Sequence, residues 1–171
     1  MAEISRQIDF IVFYNGPYMM KATDIVYLAQ LQIGVKEQPA NSNRVFYNTA
    51  FYNKEVSGAK YPWCCVFMWY IFKGTGLFPK TASCANALDY FEQNDQIVKT
   101  PKVGDVVFFK FSKKNKRRTD HVGLVVGVAV DYFITIEGNT GTGNDTNGGC
   151  VMYRRREFEN VVAFARPKYE V

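Results

Sequence analysis

The chain contains a single histidine, His121, and a cysteine, Cys64, that begins an apolar segment with the pattern of a helix. Imidazole is the side chain whose unperturbed pKa lies nearest to neutral pH. A thiol becomes a good nucleophile at that pH only when a neighbouring base or another group lowers its pKa. Covalent chemistry by this chain would therefore pair Cys64 with His121. One histidine is too few for a multi-histidine zinc site or for a hydrolase that needs two histidines.

Two polar residues could support that histidine. His121 begins the strand pattern HVGLVVGV, and Glu137 ends the next one, YFITIE. If these strands pair symmetrically across a short turn at residues 128–130, His121 lies opposite Glu137 on one face of the hairpin. A carboxylate there would orient the imidazole and stabilise the imidazolium, although an exposed charge pair at a sheet end has the same pattern. Asn139 is a further candidate, and an ordinary turn asparagine would look the same.

The residues around Cys64 favour a position in the first turn of a buried helix. Pro62 suits that turn, and residues 63–72, WCCVFMWYIF, are apolar on every side. Unpaired amides and the positive end of the helix dipole would favour a thiolate there and could also bind an oxyanion. Free cysteine is also a common core residue. That alternative applies to Cys64, and it is our interpretation of the other three cysteines, Cys65, Cys84 and Cys150.

The order of elements along the chain predicts an α+β class, with helices first and an antiparallel meander second. Helices are predicted at residues 21–35, 63–72 and 83–93, and residues 36–60 are predicted to form a long loop with at most one helical turn. Strands are predicted at residues 104–111, 121–130, 132–137, 151–154 and 161–165. A basic loop at residues 112–118 and a flexible glycine-rich loop at residues 138–149 connect them.

Composition indicates one globular domain, because the chain has 171 residues and is 47% hydrophobic. We assign residues 21–171 to that domain and residues 1–20 to an N-terminal extension. The net charge of +5 favours an anionic partner without choosing its kind. No segment approaches the roughly 18 apolar residues of a membrane span, and none has the pattern of a secretory signal. We therefore expect reduced thiols and a monomer made in the cytoplasm.

Four segments together resemble the CHAP domain, the family of cysteine, histidine-dependent amidohydrolases and peptidases. YPWCCVFMWYIF is similar to its nucleophile helix, PKVGDVVFFKF and DHVGLVVGV to its Gly-Asp-x-Val-x-Phe and Asp-His-Val-Gly strands, and YFITIEGNTG to its Thr-Ile-Glu-Gly-Asn segment. The resemblance runs in order from about residue 21 to about residue 165. The related NlpC/P60 group usually has Asp-Cys-Ser-Gly at the nucleophile and a second histidine, which this chain lacks.

The resemblance implies a papain-like fold, with N-terminal helices packed on an antiparallel sheet, and hydrolysis of a peptidoglycan amide. It assigns Cys64 as nucleophile, His121 as base, and Glu137 and Asn139 as orienting groups. The enzyme would be an N-acetylmuramoyl-L-alanine amidase or an endopeptidase of the stem or cross-bridge. It would be endolysin-like, of phage or prophage type, and would reach the cell wall after release. We expect no cofactor and no metal, since residues 36–60 contain no aspartate for a calcium loop.

Three alternatives remain at this point. The same fold could host a cytosolic thiol amidase that acts on a small peptide conjugate. The basic run at residues 113–118 could belong to a nucleic-acid-binding module. We expect no nucleic-acid partner, because a basic loop is usually a solvated face or a contact to wall polymer. A wall-binding protein with a dead site is the third alternative, and the intact Cys64, His121, Glu137 and Asn139 set argues against it.

Overall fold

The structure is a computed structural model that describes residues 20–114 and 116–170. The predicted N-terminal extension lies outside the described residues except for Met20. Within the described part of the chain, no helix has the length and apolar character needed to cross a membrane.

Four helices come first along the described chain: α1 (Ala22–Gln30), α2 (Phe46–Tyr52), α3 (Cys64–Ile71) and α4 (Cys84–Gln93). The three predicted helices are present and somewhat shorter than predicted. Helix α2 occupies a segment predicted as loop with at most one turn. It forms because tertiary packing supports it: Tyr47 is fully buried, and its ring lies 5.4 Å from that of Phe67 on α3.

Six strands form one antiparallel sheet with the order β1-β6-β2-β3-β4-β5. They are β1 (Ile97–Val98), β2 (Val106–Phe109), β3 (His121–Val128), β4 (Phe133–Thr140), β5 (Cys150–Arg156) and β6 (Val161–Ala165), with a 3-10 turn at Phe158–Asn160 before β6. The α+β prediction is confirmed. Strand β1 was not predicted, β4 runs three residues beyond its predicted end, and β5 runs two residues beyond. Both extensions carry residues of the candidate site.

The hairpin of β3 and β4 brings His121 close to Glu137 through a register that differs from the predicted one. The strands pair Leu124 with Ile136. Continuing that register places Gly123, and not His121, directly opposite Glu137. The predicted direct pairing of His121 with Glu137 was therefore wrong by two residues. The two side chains are diagonal neighbours on the same face, which is still within reach of long side chains.

The register differs because the turn lies later than predicted and because β3 contains a bulge. The amide of Ala129 donates a hydrogen bond to the carbonyl of Tyr132, so the turn spans these residues rather than residues 128–130. An irregularity between Val125 and Gly127 then shifts the pairing by one residue. A bulge adds a residue to one strand and re-aims the side chains beyond it.

The main core lies between the helices and one face of the sheet. Every residue of α3 is buried there, against side chains of β3 and β4 such as Val122, Leu124 and Ile136. Burying one large apolar side chain stabilises a fold by about 1.5–3 kcal/mol, so the position of α3 is strongly fixed by its packing. A second, smaller cluster that includes Phe109 and Phe133 covers the opposite face.

Candidate active site

Cys64 is the first residue of α3 and lines a cleft of about 600 Å³. Its neighbour Cys65 is fully buried and does not line that cleft. Successive helix residues point about 100° apart, so only one of the two thiols can face the opening. Trp63, the residue just before the helix, makes no side-chain hydrogen bond that would cap it. The amides of the first turn of α3 therefore lie beside the Cys64 thiol, where they could bind an anion.

His121 makes a short contact with Glu137 in the interior of the protein. The imidazole Nε2 lies 2.8 Å from the Glu137 Oε2, and both side chains are fully buried. Because the carboxylate occupies Nε2, the other ring nitrogen, Nδ1, is the one left for Cys64. Nδ1 makes no hydrogen bond with the described residues in this conformation, although Cys64 and His121 lie close enough to shift each other's pKa.

Glu137 is held by three further hydrogen bonds. Thr135 donates from its hydroxyl to Oε1 at 2.5 Å. Arg156, at the end of β5, donates from Nε to Oε1 at 2.8 Å and from Nη2 to Oε2 at 2.6 Å. Burial alone would raise the pKa of Glu137, but the hydrogen bonds from Arg156 and the charge of His121 outweigh it and lower the pKa to about 2. Glu137 is therefore a carboxylate at neutral pH.

The carboxylate in turn favours the charged form of His121. Burial on its own lowers the pKa of the imidazole, whereas its interactions with Cys64 and Glu137 raise it, and the net result is a pKa of about 9. An imidazolium is therefore stable at neutral pH inside the protein. This is the behaviour expected of a histidine paired with a buried carboxylate.

The thiol of Cys64 does not have the lowered pKa that its place at a helix start suggested. Its Sγ lies 3.6 Å from the Sγ of Cys84, the first residue of α4. The hydrogen bond with Cys84 and burial raise the pKa of Cys64 well above its ordinary value, and the opposing effect of His121 is smaller. The expectation of a lowered pKa was wrong for this conformation, because the thiol contacts a second thiol rather than the imidazole alone.

Of the three other cysteines, all predicted to be core residues, Cys65 and Cys84 belong to the core and Cys150 does not. Cys65 is a core residue, as predicted. Cys84 is buried too, but it lines the same cleft as Cys64. Cys150 is only half-buried, on the outer strand β5. No cysteine of the described chain forms a disulfide, and no group of three or more His, Cys, Asp or Glu side chains in that part could hold a metal ion.

Asn139 is buried, and it makes no hydrogen bond to His121 among the described residues. Its Oδ1 accepts from the Gly149 amide at 3.3 Å, and its Nδ2 lies 3.4 Å from the Oδ1 atoms of Asn43 and Asn147. The backbone at Asn139 is left-handed, with φ at 56°. Asn139 lies in β4 and not in the predicted loop, and its contacts tie the two ends of the glycine-rich loop together.

Arg156 was not predicted as a residue of the site, because the predicted strand ended at residue 154. The signal that could have found it is the run Arg154, Arg155 and Arg156, which places two arginines on one face of a strand beside the Glu137 strand. A buried carboxylate such as Glu137 needs a cationic partner, and this run offers one.

The basic loop contributes to the cleft and is not a uniform solvated surface. Arg117 lines the cleft, and Lys60 lines it from the segment before α3. Arg118 instead binds two acidic side chains of α4, Asp89 at 2.8 Å and Glu92 at 2.5 Å. The loop therefore places one cationic side chain at the cleft, which Asp120 also lines, and part of the loop's charge is neutralised within the protein.

Comparisons with known proteins agree with this architecture. The profile of the CHAP domain matches residues 56–139. Among solved structures, that of Ly7917 has a TM-score of 0.54 at 14% identity over 86% of this chain. A NlpC/P60 family protein from Bacillus cereus ATCC 10987 has a TM-score of 0.52 at 15% identity over 89% of this chain. This chain spans 63% and 42% of the lengths of those two chains. No curated protein sequence is significantly similar to it. The papain-like fold of the NlpC/P60 and CHAP type, predicted from the sequence, is confirmed.

Proposed function

We propose that this protein is a thiol-dependent hydrolase that cleaves an amide bond of bacterial peptidoglycan. One observation carries the proposal: Cys64 begins a helix and lines a cleft, and the buried pair of His121 and Glu137 lies close behind it. The segment that matches the CHAP domain contains all of these residues. The cleft is lined by two cationic residues, Lys60 and Arg117, and one anionic residue, Asp120, and the net charge of the chain is +5. This balance suits an anionic wall polymer.

The proposed reaction is acyl transfer through a thioester. Glu137 accepts a hydrogen bond from Nε2 of His121, so Nδ1 is the nitrogen that gains and loses the proton. Because the pKa of His121 is about 9, most molecules at neutral pH carry a proton on Nδ1, and the reaction starts from those in which that proton has left. Nδ1 takes the proton of Cys64, and the thiolate attacks the carbonyl carbon of the amide. Amides in the first turn of α3 stabilise the oxyanion. His121 then protonates the leaving amine, and water, activated by the same imidazole, releases the acyl group from Cys64.

Substrate binding must break the contact between Cys64 and Cys84 for this reaction to start. The Cys84 contact is the largest cause of the raised pKa of Cys64, whereas His121 lowers it. A rotation of the Cys64 side chain away from Cys84 and toward Nδ1 would remove the first effect and strengthen the second. We propose that this rotation activates the thiol.

The remaining roles belong to the same proposal. Residues 21–171 form the catalytic domain, which acts as a monomer, and Asn139 holds the loop beside the site. The bond cut is that of an N-acetylmuramoyl-L-alanine amidase or of an endopeptidase for the stem or cross-bridge. An endolysin-like enzyme of this kind is made in the cytoplasm and acts on the wall after release.

Digestion of purified cell walls followed by mass spectrometry of the released muropeptides tests the proposal and identifies the bond. We expect wall cleavage by the wild type, no cleavage by Cys64→Ala, and most of the activity in Cys65→Ala. Iodoacetamide should label Cys64 faster than Cys65, because Cys65 does not reach the cleft. Intact walls after digestion with folded wild-type protein would contradict the proposed substrate. Full activity of Cys64→Ala would contradict the proposed nucleophile.

A further inference from the structure

Arg156 lies between two carboxylates that belong to different parts of the site. On one side it donates two hydrogen bonds to Glu137, from Nε at 2.8 Å and Nη2 at 2.6 Å. On the other side its Nη1 donates to Oδ1 of Asp145 at 2.6 Å. The guanidinium also lies 4.7 Å from the ring centre of Phe111 and 5.4 Å from that of Phe109. With 7% of its surface exposed, Arg156 is held on all sides.

Asp145 connects this arginine to the wall of the cleft. It lies in the glycine-rich loop between β4 and β5, and the next two residues, Thr146 and Asn147, line the cleft. Arg154 adds a second bond to Asp145, from Nη2 at 2.7 Å. A continuous set of ionic contacts therefore runs from the loop through Arg156 to the carboxylate that binds His121.

We propose that Arg156 is a positioning residue, which holds the Glu137 carboxylate in the plane required by His121 and fixes the cleft loop to that carboxylate through Asp145. This inference rests on the proposed function, because it assigns a supporting role at the same site. Two parallel N–H···O bonds fix both the distance and the plane of a carboxylate. A lysine at this position would keep the charge and lose that geometry.

Loss of Arg156 would change the charge on Glu137 as well as its position. The polar groups that face the Glu137 carboxylate are His121 on β3, Thr135 on β4 and Arg156 on β5, with Asp145 beyond Arg156. Without the guanidinium, burial would raise the pKa of Glu137. The carboxylate would then accept a proton at a higher pH and cease to support the imidazolium.

The pH profile of the reaction separates positioning from simple stabilisation of the fold. We expect Arg156→Gln to lower kcat by about 10- to 100-fold, because the neutral amide replaces at most one of the two charge-assisted hydrogen bonds to Glu137. The acidic limb of the kcat/KM profile should move to higher pH, and Arg156→Lys should recover part of kcat. Arg155→Gln is the matched control, because Arg155 is the adjacent residue of β5 and its side chain is 59% exposed.

The pH profile of Cys64 alkylation by iodoacetamide provides a second readout that needs no substrate. It should shift in Arg156→Gln and Arg156→Lys and not in Arg155→Gln, even if the wild type leaves cell walls intact. Failure of the wall assay with a shifted alkylation profile would contradict the proposed function and support the role of Arg156. Profiles that match those of Arg155→Gln, with only a lower Tm, would overturn the positioning role. If Arg156→Gln does not fold, the profiles of Arg156→Lys are compared with those of Arg155→Gln in the same way.

Cys84 contributes a second thiol to the cleft. Its Sγ lies 3.6 Å from that of Cys64, and both thiols line the cleft. Nothing in the proposed hydrolysis uses Cys84. Two thiols at this separation need only small side-chain rotations to reach bonding distance, and the cleft gives small oxidants a route to them.

We propose that Cys64 forms a disulfide with Cys84 when hydrogen peroxide is present. The disulfide blocks the Cys64 thiol. After Cys64 has turned toward His121 and lost its proton, hydrogen peroxide oxidises the thiolate to a sulfenic acid and releases hydroxide. The Cys84 thiolate then attacks the sulfur of the Cys64 sulfenic acid, the S–S bond forms as the S–O bond breaks, and the hydroxide that leaves takes up one proton to become water. A dithiol reductant restores both thiols. The disulfide therefore protects Cys64 from irreversible oxidation to a sulfinic acid.

Peptide mapping without reductant tests this modification independently of activity. After treatment with hydrogen peroxide, we expect a Cys64–Cys84 cross-linked peptide in the wild type and in Cys150→Ser, which is the matched control. In Cys84→Ser we expect Cys64 to end as a sulfinic acid that dithiothreitol does not reduce. Equal sulfinic acid formation in the wild type and Cys84→Ser would overturn the proposal. A cross-link from Cys84 to Cys65, which also lies near it, would overturn it as well.

Discussion

Gly138 determines how closely helix α3, which carries Cys64, approaches the sheet. It lies in β4 between Glu137 and Asn139, and it faces Phe67, which follows Cys64 by one turn of α3. A Cβ added at Gly138 would lie 2.5 Å from Cβ, 2.7 Å from Cγ and 2.9 Å from Cδ1 of Phe67. Carbon atoms in contact are normally about 3.5–4.0 Å apart. The helix and the strand would therefore have to separate by about 1 Å.

We expect Gly138→Ala to damage catalysis more than stability. Overpacking of this kind usually costs about 1–3 kcal/mol, which for a domain of this size lowers Tm by roughly 2–12 °C. The same displacement would move Cys64 relative to His121, and a misplacement of about 1 Å can reduce the rate about 100-fold. The carbonyl of Trp63 accepts a hydrogen bond from the Phe67 amide at 2.8 Å, so the start of the helix would move with Phe67.

The assay is kcat on a purified muropeptide, together with Tm and the rate of Cys64 alkylation. Gly127→Ala is the matched control, because it adds the same methyl group to the neighbouring strand. There the nearest atom would be Cβ of Ile134 at 3.6 Å, an ordinary contact. We expect the control to retain wild-type kcat and alkylation rate. If Gly138→Ala lost stability but kept the kcat of Gly127→Ala, the helix would tolerate the displacement without moving Cys64, and this prediction would be wrong.

Three further predictions concern the charges of the site. Glu137→Gln should lower kcat by at least about 100-fold with little change in KM, because the amide cannot stabilise the imidazolium; near-normal kcat in this variant would contradict an orienting role. The pKa of His121 is raised in the folded protein to about 9, so its contribution to the free energy of unfolding is complete below about pH 6.5 and is lost as the pH rises through 9. Denaturant titrations between pH 7 and pH 9.5 should show this loss, and the slope should be smaller in Glu137→Gln. Neutralising the exposed residues Lys113, Lys114 and Lys116 should weaken wall binding at low salt and leave turnover of a small muropeptide unchanged, whereas an equal loss on both substrates would place these lysines in the cleft itself.

The helix that carries Cys64 could be predicted because its residues are apolar on every side, and burial then decides the structure. The strand β6 was predicted over the residues it occupies, for a similar reason. The closeness of His121 and Glu137 was predicted from the alternation of side chains along two strands. That prediction was right despite the error in register, because both side chains lie on the same face of the sheet. A shift of two residues keeps a side chain on its face, whereas a shift of one would have moved it to the other.

The contacts that depend on turns and on distant segments could not be predicted. The bulge near Val125 has no clear sequence signature, and it decides which residue lies opposite Glu137. Arg156 reaches the site only because β5 continues past its apolar residues, where the bond to Glu137 compensates for the buried charge. The contact between Cys64 and Cys84 joins the starts of two helices, and nothing local in the sequence relates their directions.

The burial of the contact between His121 and Glu137 determines the route by which protons reach the imidazole. Nε2 points at a carboxylate with no solvent exposure, so water cannot exchange a proton at that nitrogen without opening the core. In the proposed reaction Nδ1 is therefore the nitrogen that gains and loses the proton, by a route past its neighbour Cys64, which lines the cleft. In the proposed reaction, a substrate that covers Cys64 would close this route behind it. The imidazolium could then deliver its proton to the leaving amine or return it to the Cys64 sulfur, but it could not lose that proton to solvent.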